Sequence, residues 1–172
     1  CFSRKVGVVV VDPATNGIVG AGYNGPPEGT PHCNELEFLE HFFWPQLTSE
    51  EKTRLADCSG SWDPCATREF MATCHQCPRN ILGYSSGQRA ELCSCQHAER
   101  NALNKLPIAA KGLVLFCWCG VPCIQCTGSI INAGIQEVHC LAEEDYHPTA
   151  RWLFQKGNTE LIEHDITALL QD

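Results

Sequence analysis

An α/β sandwich around a mixed sheet is what this 172-residue chain predicts. Three observations carry that expectation. The β-branched run Val6-Gly7-Val8-Val9-Val10-Val11 meets a turn-rich stretch and a second short strand, which together read as a β-hairpin. Beyond residue 96, helix-length and strand-length patterns alternate, the order that builds parallel strands with crossover helices. Hydrophobic residues make up 44% of the chain, enough for a sizeable core.

Each element has a local reason. The hairpin turn is Asp12-Pro13-Ala14-Thr15-Asn16-Gly17, and Ile18 to Gly22 returns as a strand. Tyr23 to Cys33 carries three Pro and two Gly and reads as an irregular loop. Residues 35–43 place Leu36, Phe38, Leu39, Phe42 and Phe43 at helical spacing, and Pro45 should end that helix. Thr48 and Glu51 have the spacing of a capping box and predict a second helix. Gln96 to Leu106 reads as a helix stopped by Pro107, and Leu113 to Cys117 as an apolar strand buried on both faces. Pro122 to Ala133 has Pro in its first turn and Gly134 just past its end. A strand over 135–141, a helix over 148–156, a strand over 159–163 and a short helix over 166–170 complete the pattern. The whole reads as a single domain, residues 1–172, with a cysteine-rich insertion at about 58–95. That insertion has few core-forming residues and needs a metal staple or a partner subunit to stay ordered.

Charge and cysteine content narrow the function. Twelve Lys+Arg against 20 Asp+Glu leave a net charge of −8, which argues against a nucleic-acid partner while allowing a small phosphorylated substrate. The longest apolar run is far shorter than a membrane span, and no cationic, apolar leader opens the sequence, so no membrane role is expected. Thirteen cysteines, an odd number clustered beside histidines, fit metal chemistry in a reducing cytoplasm better than a disulfide scaffold.

The chemistry concentrates in His97-Ala98-Glu99, followed by Pro122-Cys123-Ile124-Gln125-Cys126. Cys123 and Cys126 stand three apart at a helix start and share a face, where the positive helix end favours thiolates. With His97 they supply three ligands and leave the fourth tetrahedral position of Zn²⁺ open for water, as a catalytic rather than a structural site does. Glu99 is placed to carry protons beside it. The paired motif is the signature of zinc-dependent nucleobase deaminases.

Here the chain resembles a known family, the deoxycytidylate (dCMP) deaminases of the cytidine deaminase-like superfamily, in its phage and bacterial type. Gly22-Tyr23-Asn24-Gly25-Pro26-Pro27-Glu28-Gly29 is similar to that family's G-[YF]-N-G-x-P-x-G, and His97-Ala98-Glu99-Arg100-Asn101-Ala102-Leu103 to its H-A-E-x-N-A-[IL]. Ser3-Arg4-Lys5-Val6 matches the entry to its first strand, while Leu115 to Val121 departs from its usual Y-x-T-x-x pattern. The resemblance covers residues 1–33 and about 96–156. It implies a three-layer α/β/α sandwich on a five-stranded mixed sheet, and hydrolysis of dCMP to dUMP and ammonia. It implies a homo-oligomer, often a hexamer, activated by dCTP with Mg²⁺ and inhibited by dTTP. Asn24 would bind the sugar, Arg4 and Lys5 the 5′-phosphate, and Tyr146 would stand near the nucleotide. Family members begin with a helix before the first strand, so an element preceding Cys1 is expected.

Some phage members carry a second, structural zinc. The matching positions are Cys1, Cys33 and Cys95, with the remaining ligand drawn from Cys74-His75-Gln76-Cys77, of which His75 and Cys77 are favoured. Cys117, Cys119 and Cys140 fall on strands and read as core. Two other classes stay open. One is a deaminase of cytidine, dCTP or tRNA adenosine. The other is a non-catalytic zinc-binding module, which would have no need of Glu99.

Overall fold

The computed structural model describes residues 5–85, 87–142 and 148–166. In chain order its elements are β1 (Gly7–Asp12), β2 (Gly17–Tyr23), α1 (Leu36–Phe38), α2 (Ser49–Ser59), α3 (Pro64–Thr73), α4 (Pro78–Ile81), α5 (Ala98–Asn104), β3 (Val114–Cys117), α6 (Ile124–Ala133), β4 (Glu137–Leu141), α7 (Pro148–Lys156) and β5 (Glu160–His164). They divide into two compact units, one from Gly25–Cys95 and the other from Val6–Asn24 together with the chain from Gln96 onward.

The sheet unit holds five strands in the order β2-β1-β3-β4-β5. β1 runs antiparallel to both β2 and β3, and β3, β4 and β5 are parallel, so the sheet is mixed as the sequence predicts. Alternation sets the inward face. Val8, Val10, Leu115, Cys117, Val138 and Cys140 point into one core with Ala98 and Ala102 of α5, Ile130 of α6, and Ala150 and Phe154 of α7. β3 differs from expectation. Phe116 is 39% exposed although Val114, on the same face, is buried, so the outer face of this strand is covered only at its start. A wholly apolar run of four residues does not distinguish one buried face from two.

Helix ends follow their signals. Gly134 takes φ +80 and closes α6, a left-handed conformation glycine adopts without a Cβ penalty. The buried Thr159 hydroxyl donates to Ile135 O at 2.7 Å and ties the entry of β5 to that of β4.

The second unit has a core of its own, to which the cysteine-rich segment contributes a minority of the buried residues. Phe38, Leu39, Phe43, Leu47 and Leu55 pack with Met71, Leu82 and Leu92. α1 continues as a π turn over 39–43 and a 3₁₀ turn over Trp44–Gln46, so Pro45 sits inside the helical path rather than ending it. A proline in the first turn of a 3₁₀ segment forfeits no helical donor. The capping box is present: Thr48 Oγ1 accepts from Glu51 N–H at 3.2 Å, and Glu51 Oε2 accepts from Thr48 N–H at 2.7 Å. Glu51, 2% exposed, also receives Arg89 Nε at 2.9 Å and the Tyr84 hydroxyl at 2.7 Å. Burial works to raise its pKa, but Thr48 N–H, Arg89 and Tyr84 together hold it down to about 2.

Among the described residues no helix is long and apolar enough to cross a membrane.

Candidate active site

Three metal-capable side chains converge in the sheet unit. His97 is the N-cap of α5 and Cys123 the N-cap of α6, so two helix N-termini deliver them. Cys126 stands one turn into α6 and is fully buried. His97 Nδ1 lies 3.3 Å from Cys123 Sγ and 3.4 Å from Cys126 Sγ. One ligand atom from each falls within 4.8 Å of the other two. That is the spacing three donors adopt around one ion with bonds of ~2.0–2.3 Å.

The electrostatics suit a cation. A hydrogen bond from the Cys126 thiol, helped by His97, brings the Cys123 thiol down to about 3, so it is a thiolate at neutral pH. The Cys126 pKa moves up in response, because its proton bridges to Cys123 and its sulfur is buried. His97 is raised by its hydrogen bond to Cys123. Glu99 sits in the first turn of α5, 4% exposed, and burial pushes its carboxyl up. A buried carboxyl held above its ordinary range keeps a proton more readily than an exposed one, which suits a proton carrier.

The motif after β2 positions α5. Asn24 Oδ1 accepts from Ala98 N–H at 2.8 Å, satisfying one of the unpaired donors at the start of that helix. In return Asn101 Nδ2 donates to Tyr23 O at 2.9 Å. Gly22 lets the two elements meet, since a Cβ there would collide with the backbone of Ala98 and Ala102. The Gly-Tyr-Asn stretch therefore sets the position of the helix that bears His97 and Glu99. The role of Asn101 lay unrecognised in the sequence, although an asparagine flanked by Ala98 and Ala102 on a helix facing a strand end is the available signal.

A second cluster of thiols lies in the other unit. Cys95 hydrogen-bonds with both Cys33 and Cys93, and Cys77 feels the charge of those same two sulfurs. Hydrogen bonding from Cys95, supported by Arg79, lowers the Cys93 thiol to about 6, and Cys95 lowers Cys33 as well. Cys95 is raised as the shared donor, and burial raises Cys77. Cys33 and Cys95, two of the expected ligands, share a hydrogen bond. Cys93 joins them, a residue the sequence reading had not included. His75 is exposed, with φ +48. Lys5 is exposed, and Cys1, Arg4 and Tyr146 lie outside the described residues.

Comparisons with known proteins agree with the geometry. The family profile described as the cytidine and deoxycytidylate deaminase zinc-binding region matches residues 1–142. The deoxycytidylate deaminase of Schizosaccharomyces pombe is 27% identical over 167 residues, covering 95% of this chain and 38% of that protein. ComE operon protein 2 of Bacillus subtilis is 32% identical over 79 residues, covering 44% of this chain and 41% of that protein. The chain thus spans about two fifths of the length of these curated relatives. Among solved structures, the dCMP deaminase of cyanophage S-TIM5 in complex with dCMP and dUMP superposes with a TM-score of 0.53 at 22% identity. It covers 94% of this chain and 82% of that one, a likeness of fold.

Proposed function

The chain belongs to the cytidine and deoxycytidylate deaminase family, and from that premise we propose that it hydrolyses dCMP to dUMP and ammonia. The observation that carries the proposal is the convergence of His97, Cys123 and Cys126 with a buried carboxyl, Glu99, on the same helix as His97. Two sulfurs and an imidazole nitrogen, one sulfur already ionised, form a donor set suited to zinc and leave a coordination position for a non-protein ligand. Zinc in that position supplies Lewis-acid activation of water, whose pKa falls to about 7.

Glu99 does the proton work. It accepts a proton from the attacking water and delivers it to the ring nitrogen beside C4; it then takes the remaining proton of the hydroxyl added at C4 and passes it to the amine, which departs as ammonia while the carbonyl forms. Its burial keeps bulk water from competing for that proton. The hydrogen bond between Asn24 and Ala98 N–H anchors the first turn of α5, on which Glu99 stands, and the carboxamide of Asn24 is assigned to the sugar on the strength of the family motif. Lys5, with Arg4, is assigned to the 5′-phosphate, and Tyr146 to the nucleotide, on the same resemblance.

The Cys33–Cys77–Cys93–Cys95 cluster is proposed to hold a second, structural zinc. Four thiols with two lowered pKa values are what a closed site needs, and a metal there would offset the ordering entropy of the cysteine-rich insertion at about 58–95 within one deaminase domain. Activation by dCTP with Mg²⁺, inhibition by dTTP, a homo-oligomer of hexameric type and a cytoplasmic setting complete the reading and rest on the family resemblance. Ammonia release from dCMP, deoxycytidine, cytidine and dCTP by zinc-loaded protein, with and without dCTP or dTTP as effector, tests it. Strong preference for dCMP supports the proposal, and equal turnover without the phosphate contradicts it.

A further inference from the structure

The proposed proton carrier has two thiols beside it that deamination does not use. Cys117 ends β3 and Cys119 follows two residues later, so both side chains leave the same face of the strand. Exposure alternates accordingly: Phe116 and Trp118 face outward, while Cys117 and Cys119 are 5% and 8% exposed. The sheet pattern fixes their backbone beyond the last strand residue. Trp118 N–H donates to Gly7 O at 2.9 Å, and Leu141 N–H donates to Cys119 O at 2.8 Å. One sulfur from each cysteine and a carboxylate oxygen of Glu99 lie within 4.8 Å of one another.

We propose that Cys117, Cys119 and Glu99 form an inhibitory site for a thiophilic divalent cation of the zinc type, adjoining the site of His97, Cys123 and Cys126. The inhibitory effect rests on the reading of Glu99 as proton carrier. Two soft sulfurs and one oxygen are a donor set such ions accept, with a fourth position left for solvent. An ion with two metal–sulfur bonds of ~2.3 Å sets tetrahedral sulfurs ~3.8 Å apart, inside the observed span. A disulfide would have to draw them to ~2.05 Å against backbone held by the sheet on both sides. Binding forms two metal–sulfur bonds and one metal–oxygen bond, releases the two thiol protons to solvent, and changes no oxidation state. It also ties a carboxylate oxygen of Glu99, the proposed proton carrier, to the ion and keeps the group ionised, so turnover falls while the first site stays loaded.

The test is equilibrium dialysis of the zinc-loaded protein against rising free Zn²⁺, with dCMP turnover followed in parallel. The wild-type protein takes up one further equivalent of zinc as turnover falls. The double variant Cys117→Ser/Cys119→Ser loses that equivalent, and the half-inhibiting zinc concentration rises at least ~10-fold. If the double variant fails to fold, Cys119→Ser alone is measured in the same way, since its side chain lies beyond the regular strand. Unchanged uptake and inhibition in a folded variant, or no further uptake by the wild type, overturns the proposal. Because dialysis reads metal without turnover, failure of the inhibitory site remains distinguishable from failure of the deaminase reading.

Discussion

Replacing Gly22 by alanine probes the link between the packing of β2 and the chemistry on α5. An alanine Cβ at this position would lie 2.9 Å from Ala102 Cα, and closer still to the Ala98 carbonyl and the Ala102 amide. Ordinary contact starts at 3.4 Å, so the helix must retreat by roughly 0.5–1 Å. Ala98 and Ala102 present backbone rather than a flexible side-chain end, so the strain cannot be shed by a rotamer change. The cost of such overpacking is ~1–3 kcal/mol. Without the clash, alanine in place of glycine would stabilise by about 0.4–1 kcal/mol through the unfolded chain, which makes the sign diagnostic. His97 and Glu99 move with the helix, and a ~1 Å misplacement of catalytic groups costs ~100-fold in rate. Urea unfolding and ammonia release from dCMP should therefore show a lower midpoint and a ~10–100-fold loss in kcat/KM. A stable Gly22→Ala protein with kcat/KM within about twofold of wild type would refute the claim that this close approach positions the site.

Further outcomes follow from the same geometry. Glu99→Gln keeps size and burial but cannot carry a proton; zinc content by atomic absorption stays unchanged while kcat for dCMP falls ~10²–10⁴-fold. Glu51 has a folded-state pKa of about 2 against an ordinary 4.5. Its contribution is therefore fully present above pH ~4.5 and is lost as pH falls toward ~2; at ~1.36 kcal/mol per pH unit it amounts to ~3 kcal/mol. Urea titrations across that window should show this slope in the wild type and a much flatter one in Glu51→Gln. Cys93→Ser should lower the zinc retained at limiting metal from about two equivalents per chain to about one, read by mass spectrometry under native conditions; two retained equivalents would remove Cys93 from the proposed structural site.

Much of the sheet unit was legible because its signals are local. The β-branched run set β1, Gly134 closed α6, and the spacing of His97 to Cys126 brought three donors to two helix N-termini. The capping box at Thr48 and Glu51 was equally local. What escaped depends on contacts distant in sequence. Phe116 looked like any other apolar residue of β3, and only the arrangement of the sheet leaves it exposed. α3 and α4 begin at Pro64 and Pro78, prolines that serve equally well as turn signals until the following residues find a core. That core draws on Phe38, Phe43 and Leu55, outside the segment first marked as an insertion. Cys93 joins Cys33 across 60 residues, beyond what motif spacing can register. Gly22 and Asn24 were visible as a motif, but their use in seating α5 follows only from the strand and helix lying against each other.

The account stands most directly on one measurement: steady-state ammonia release by zinc-loaded protein from dCMP compared with deoxycytidine under identical conditions. It predicts that kcat/KM for dCMP exceeds that for deoxycytidine by at least ~100-fold, as expected when a site contacts a charged group on one substrate that the other lacks. It also predicts that the dCMP activity disappears when zinc is removed and returns when zinc is restored. Equal rates on the two substrates, or dCMP turnover that survives complete removal of zinc, would contradict it.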